Sequence, residues 1–250
     1  MNFKKHIPNF ITLLNLLSGT IAVYFAVKEQ LVFAAFFVFL GIFFDFFDGL
    51  VARLLNVQGE LGKQLDSLAD VVTSGVVPGI VLFQLITKAV NNENWDLNTT
   101  LPLNSSLCDN FNTTFLISMI GLVVTLAAAY RLAKFNIDER QTSSFIGLPT
   151  PAAALVVLSL PLILAYSNNE FANNLIKNVW FLVGLTLLLS YLMNAEIPLF
   201  SLKFKDYSWK NNKTKYIFIL LTALFSSILQ FVAIPIVIVL YILISLLTKK

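Results

Sequence analysis

Between residues 45 and 70 the chain reads DFFDGLVARLLNVQGELGKQLDSLAD, which places Asp45, Asp48, Asp66 and Asp70 among runs apolar enough to span a bilayer. An ionised side chain at the centre of a spanning helix costs at least ~2.5–3.5 kcal/mol, so four of them need a compensating partner. At about 100° per residue, Asp45, Asp48, Gly49 and Ala52 fall within an arc of roughly 100° on one helix. Gly62, Asp66 and Asp70 follow at steps of four, each turning only about 40°, and form a stripe on the next helix. Two stripes facing each other across the short 54–61 connection bring four carboxylates together. Their mutual repulsion must be neutralised by cations.

The rest of the composition agrees with a bilayer setting. Of 250 residues 57% are apolar, 23 of them Phe, and the mean hydropathy is +0.79. Soluble domains carry roughly 45–50% apolar residues, so the chain reads as an all-α polytopic membrane protein. A single Cys, Cys108, excludes an internal disulfide framework, and a single His, His6, removes most zinc chemistry. The net charge of +3 is too small to argue for nucleic acid.

Spans of about 20 apolar residues are expected near 10–27, 31–53, 66–87, 115–135, 149–167, 175–194, 215–232 and 234–248, with the last two folded back near Gln230 to Pro235. Eight crossings put both termini on one side. With the N-terminus inside, all 17 Lys and Arg except Lys28, Lys88 and Lys177 fall on inner segments. Cytoplasmic loops carry the Lys/Arg excess, so both termini and the Asp cluster are expected at the cytoplasmic face. The chain reads as one membrane domain over 1–250. Residues 1–9 form an interfacial lead-in with Pro8 at the turn into the first span. Residues 10–194 form a catalytic core, and 215–248 a C-terminal helical hairpin. The Asn/Ser/Thr-rich segment 91–114, with sequons at Asn98, Asn104 and Asn112, reads as an external loop.

An all-oxygen site without His or Cys favours Mg²⁺ or Mn²⁺. Two such ions about 3.5–4 Å apart clamp a transferring phosphate, which points to phosphoryl-group transfer. Gly49, Ala52 and Gly62 lack bulk and let a ligand approach the backbone, while Arg53 offers a planar fork to phosphate.

The pattern D-x-x-D-G-x-x-A-R-x8-G-x-x-x-D-x-x-x-D resembles the signature of the CDP-alcohol phosphotransferase family, and all eight fixed positions are present. The resemblance implies a six-helix membrane core, a CDP-linked donor, CMP as leaving group and a homodimer. It implies that Asp45, Asp48, Asp66 and Asp70 bind the metals, that Asp70 is also the general base, and that Gly49, Ala52, Arg53 and Gly62 contact the CDP portion. Ile7-Pro8-Asn9 with Thr12, Asn15 and Gly19 is similar to the first-helix pattern of bacterial membrane-type phosphatidylserine synthases. So are Ser67–Asp70 with Gly75 and Pro78, Arg131–Asn136, Gly147–Ala153 and the 192–198 stretch. This narrower likeness implies transfer from CDP-diacylglycerol to L-serine at the inner membrane. The serine carboxylate needs a cationic or donor partner near the metals, for which Arg131 and Asn136 are the candidates. Two alternatives stay open from the residues alone. One is a family member with glycerol 3-phosphate, inositol or inositol phosphate as acceptor; the other is a cation transporter with ion-binding acids.

Overall fold

The computed structural model describes residues 6–91, 95, 113–138, 145–200 and 209–247. The expectations for residues 1–5, for the sequons and for Arg140, Lys203, Lys205, Lys249 and Lys250 lie outside them. The chain begins with α1 (His6–Val27) and α2 (Leu31–Leu54), which pack along their lengths. Residues His6–Asn9 belong to α1, so Pro8 sits inside the first turn rather than before the helix. Proline is tolerated there because its missing N–H has no intrahelical partner to lose.

A five-residue connection leads into α3 (Glu60–Asp70), which continues through one π-helical turn (Val71–Val76) into α4 (Val77–Asn91). Two thirds of the most apolar window of this composite helix is buried, against one third for α1 or α2, which makes it the core of the bundle. Next come α5 (Thr113–Met119), a 3-10 turn and α6 (Val123–Ile137), with α6 lying against the π-turn. The π-turn is gripped from the other side by glycines. A Cβ on Gly41 would stand 2.7 Å from Thr73 Cγ2 and 2.9 Å from Asn15 Oδ1, and a Cβ on Gly19 would fall on the Thr73 hydroxyl. Only glycine lets α1 and α2 approach this closely.

The strand β1 (Phe145–Ile146) leads into α7 (Thr150–Tyr166), an all-round apolar helix buried along most of its length. After it come α8 (Glu170–Ile176), α9 (Val179–Asn194) and β2 (Pro198–Leu199), which pairs antiparallel with β1. Gly147 pins this crossing: its φ is +75°, its N–H donates to Ile197 O at 2.9 Å, and a Cβ would collide with the Met193 carbonyl. Residues with a side chain rarely adopt that backbone conformation.

The chain ends with α10 (Trp209–Leu229), a 3-10 turn and α11 (Ala233–Leu247). Gln230 has φ +48°, and the rings of Phe218 and Tyr241 lie 5.7 Å apart. On a straight helix 23 residues would separate them by about 34 Å, so the chain doubles back at Gln230. Phe200 completes the cluster, with centroids 5.8 Å from Phe218 and 5.0 Å from Tyr241. The Tyr241 hydroxyl donates to Phe200 O at 2.8 Å.

Among the described residues five helical stretches are long and apolar enough to cross a membrane: 6–27, 31–54, 60–91, 113–137 and 212–247. There are six if α8 and α9, bent by 76°, count as one crossing. Large apolar side chains such as Phe10, Phe36, Phe46 and Trp180 point outward. A soluble monomer does not expose apolar surface on this scale, so this is a helical polytopic membrane protein. The expected spans at 215–232 and 234–248 are the two arms of the doubled-back 212–247 stretch, folded at Gln230 as expected. Helix α7, at 17 residues, is shorter than a standard crossing.

Candidate active site

The last turns of α2 carry Asp45 and Asp48, and the face of α3 carries Asp66. Carboxylate oxygens of these three residues all lie within 4.8 Å of one another. Asp70 is one turn further along α3, buried, and sits in the electrostatic field of Asp66 and Asp48. The sequence-expected convergence of four is thus a triad with the fourth acid alongside. Gly59 starts α3 in extended conformation (φ −162°), and the reversal between Leu54 and Glu60 makes the two acidic faces meet.

Two neutral donors from α1 support the cluster. The Thr12 hydroxyl donates to Asp48 Oδ2 at 2.5 Å, and Asn15 Nδ2 donates to Asp70 Oδ1 at 3.2 Å. Among the described residues none of the four acids has an ion-pair partner. Asp66 Oδ1 is buried with no hydrogen-bond partner. Carboxylates that repel one another, have no ion-pair partner among the described residues and leave an oxygen unsatisfied could hold a metal ion. With oxygen donors only, the set fits a hard divalent cation.

Asp48 and Asp66 open onto a cavity of about 900 Å³ between the start of α1, the end of α2 and the start of α3. Gly49, Ala52, Arg53 and Gly62 all line it. A Cβ at Gly49 would meet only Arg53, at 3.8 Å, and one at Gly62 would come 3.3 Å from Asn9 Oδ1. The Arg53 side chain is exposed and donates from Nε to Gly49 O at 2.9 Å, which lays the guanidinium along the cavity wall. The cavity is large enough for a nucleotide-sized group, and its lining includes both acids (Asp48, Asp66) and cations (Arg53, Lys63).

Asp45, Asp70, Arg131 and Asn136 do not line this cavity. Arg131 on α6 is buried, close enough to Asp70 for the two charges to interact, and stacks 5.9 Å from the Phe135 ring. Its Nε has no hydrogen-bond partner. Asn136 is placed differently: its Nδ2 donates to Ser67 Oγ at 2.8 Å and its carbonyl accepts from Lys63 Nζ at 2.6 Å. The two acceptor-side candidates therefore do not share one site. Arg131 stands by Asp70, whereas Asn136 clamps the end of α6 to α3.

Sequence reasoning assigned no role to Thr12, Asn15, Thr73 or Lys63. Thr12 and Asn15 were visible as polar residues three apart inside an apolar helix, a spacing that puts both on one face. Thr73 carried no such signal.

The sequence profile of the CDP-alcohol phosphatidyltransferase family matches residues 5–192. The chain is similar to a CDP-diacylglycerol–serine O-phosphatidyltransferase of Bacillus subtilis, 34% identical over 166 residues that cover 64% of this chain and 81% of that protein. An enzyme of the same description from Saccharomyces cerevisiae is 32% identical, with coverage of 62% and 53%. The archaetidylserine synthase of Methanothermobacter thermautotrophicus is 29% identical, with coverage of 67% and 64%. The chain thus spans most of the Bacillus protein and about half to two thirds of the other two.

Proposed function

The chain belongs to the CDP-alcohol phosphatidyltransferase family, and from that premise we propose that it transfers the phosphatidyl group of CDP-diacylglycerol to the hydroxyl of L-serine. The products are phosphatidylserine and CMP. The observation that carries this reading is the unpaired triad Asp45–Asp48–Asp66 opening onto a cavity lined by the four residues Gly49, Ala52, Arg53 and Gly62.

Asp45, Asp48, Asp66 and Asp70 would hold two divalent cations, Mg²⁺ or Mn²⁺, which when bound supply charge neutralisation to the diphosphate and the leaving CMP. Gly49, Ala52 and Gly62 let the cytidine diphosphate lie against the helix backbones, and the free N–H groups of Arg53 hold a phosphate oxygen. The acyl chains remain in the bilayer beside α2. Asp70 takes the proton from the serine hydroxyl as that oxygen bonds to the phosphatidyl phosphorus and the phosphorus–oxygen bond to CMP breaks. Arg131, with an unsatisfied Nε beside Asp70, pairs with the serine carboxylate. Asn136 acts from a distance, by fixing the end of α6 to α3.

The same proposal sets the protein in the cell membrane with eight crossings, both termini and the site at the cytoplasmic face, and a homodimeric assembly. The Lys/Arg distribution supports the orientation. The test is CMP release by purified protein in detergent with CDP-diacylglycerol and Mg²⁺ or Mn²⁺, comparing L-serine with glycerol 3-phosphate and inositol. Serine-dependent release is expected; release with another acceptor alone overturns the choice of serine.

A further inference from the structure

We propose that Thr73 is a positioning residue that acts through Asn15 to fix the orientation of the Asp70 carboxylate. This rests on the reading of Asp70 as the base. The Thr73 hydroxyl donates to Asn15 Oδ1 at 2.8 Å, and the other end of the same amide, Nδ2, donates to Asp70 Oδ1 at 3.2 Å. An amide has one acceptor end and one donor end. With Thr73 occupying the acceptor end, Asn15 offers only its donor end to Asp70. One carboxylate oxygen is thereby held, and the other is left to face the acceptor.

The relay sits where α1, α2 and the π-turn approach one another closely. Asn15 and Thr73 are fully buried, and Asp70 is 9% exposed. Thr73 lies in the π-turn that directly follows Asp70, and π-turns concentrate at functional positions. Its side chain fills the slot left by Gly19 and Gly41, so α1, α2 and the π-turn close on it together. Neither Thr73, Asn15, Gly19 nor Gly41 lines the cavity that holds Asp48 and Asp66. The relay therefore touches the proton-accepting side of the reaction and leaves the donor pocket alone.

Thr73→Val keeps the shape and removes the hydroxyl; Thr73→Ser keeps the hydroxyl and removes the methyl that packs on Gly41. Both are compared with the parent chain for kcat and KM in CMP release, for Mn²⁺ binding by loss of the free-ion electron paramagnetic resonance signal, and for thermal unfolding. In Thr73→Val, kcat falls by about 100-fold, the loss that a misplaced reacting group brings. The KM for CDP-diacylglycerol and the number of Mn²⁺ ions bound stay unchanged, because transition-state and ground-state interactions separate in this way. Thr73→Ser retains most of the parent kcat. The proposal is overturned if Thr73→Val turns over like the parent, if it loses a bound Mn²⁺, or if Thr73→Ser is the more damaged variant, which would mark a packing role. A parent chain that releases no CMP with any acceptor sinks the reading of the function itself. A parent that turns over while Thr73→Val matches it sinks only the relay.

Discussion

The long helix that runs from α3 through the π-turn into α4 buries charge at both ends, and the two ends handle it in opposite ways. At the α4 end Lys88, only 4% exposed, pairs at 2.7 Å with Glu29 from the α1–α2 turn. At the α3 end Asp66 and Asp70 meet Asp45 and Asp48, with neutral side-chain donors from Thr12 and Asn15 and with Arg131 near Asp70 but in no ion pair with it. The first end is electrostatically complete and ties the α1–α2 turn to α4. At the second, one Arg stands against four acids, and the excess negative charge calls for a cation from outside the chain. Buried charge by itself does not distinguish a strut from a site; whether the chain's own counter-charges balance it does.

Removing divalent cations tests the incomplete end most severely. Chelation by EDTA is expected to abolish CMP release and Mg²⁺ or Mn²⁺ to restore it, while Asp66→Asn loses at least about a thousandfold, several kcal/mol of transition-state stabilisation. In the parent chain, saturating Mn²⁺ raises the thermal midpoint, by the equivalent of about 2.7 kcal/mol at a hundred times its dissociation constant. In Asp66→Asn that increment should shrink sharply. An unchanged increment would break the comparison, because the acids would then not be what the cation binds.

Asp70→Asn comes next. A lost general base lowers kcat by about 10²–10⁴-fold, with CDP-diacylglycerol binding retained in equilibrium dialysis; undiminished turnover would remove Asp70 from that role. The complete end responds in stability instead of rate. Lys88→Met leaves Glu29 unpaired and should cost about 3–5 kcal/mol in unfolding, with CMP release per folded molecule unaltered. Adding Glu29→Gln to it should restore much of the loss, which a thermal melt of the double variant reads directly. The smallest effect is expected far from both ends. Tyr241→Phe gives up the hydrogen bond to Phe200 O, worth about 0.5–1.5 kcal/mol, and leaves turnover untouched.

The acidic faces of α2 and α3 were legible in the sequence because steps of three and four residues keep side chains on one side of a helix, with the short 54–61 connection between them. The π-turn was not legible. The sequence VVTSGV contains no proline, and its Thr73-Ser74-Gly75 run gives no sign of the tertiary packing at this turn, where Gly19 and Gly41 approach Thr73 closely from two other helices. Arg131 and Asn136 were each candidates for the acceptor side. Five residues along an α-helix turn it by about 140°, so the two side chains diverge: Asn136 bonds Ser67, while Arg131 lies in the electrostatic field of Asp70. The path of the crossings was obscured because hydropathy measures length and not direction. It does not record the 76° bend between α8 and α9.

The reversal at Gln230 has a consequence in time. A chain emerges from the ribosome at about 5–20 residues per second, N-terminal segments first, so every residue of the Asp cluster and of the cavity wall is made long before α10 begins. Among the described residues the hairpin is the last helical element to be made. Its inner contacts are with α7 and with Phe200, partners already made when it appears. Neither arm can settle before the reversal is made, because the Phe218–Tyr241 contact needs both. Helices α10 and α11 therefore enter as a pair, a clasp closed over a bundle whose chemistry is already assembled.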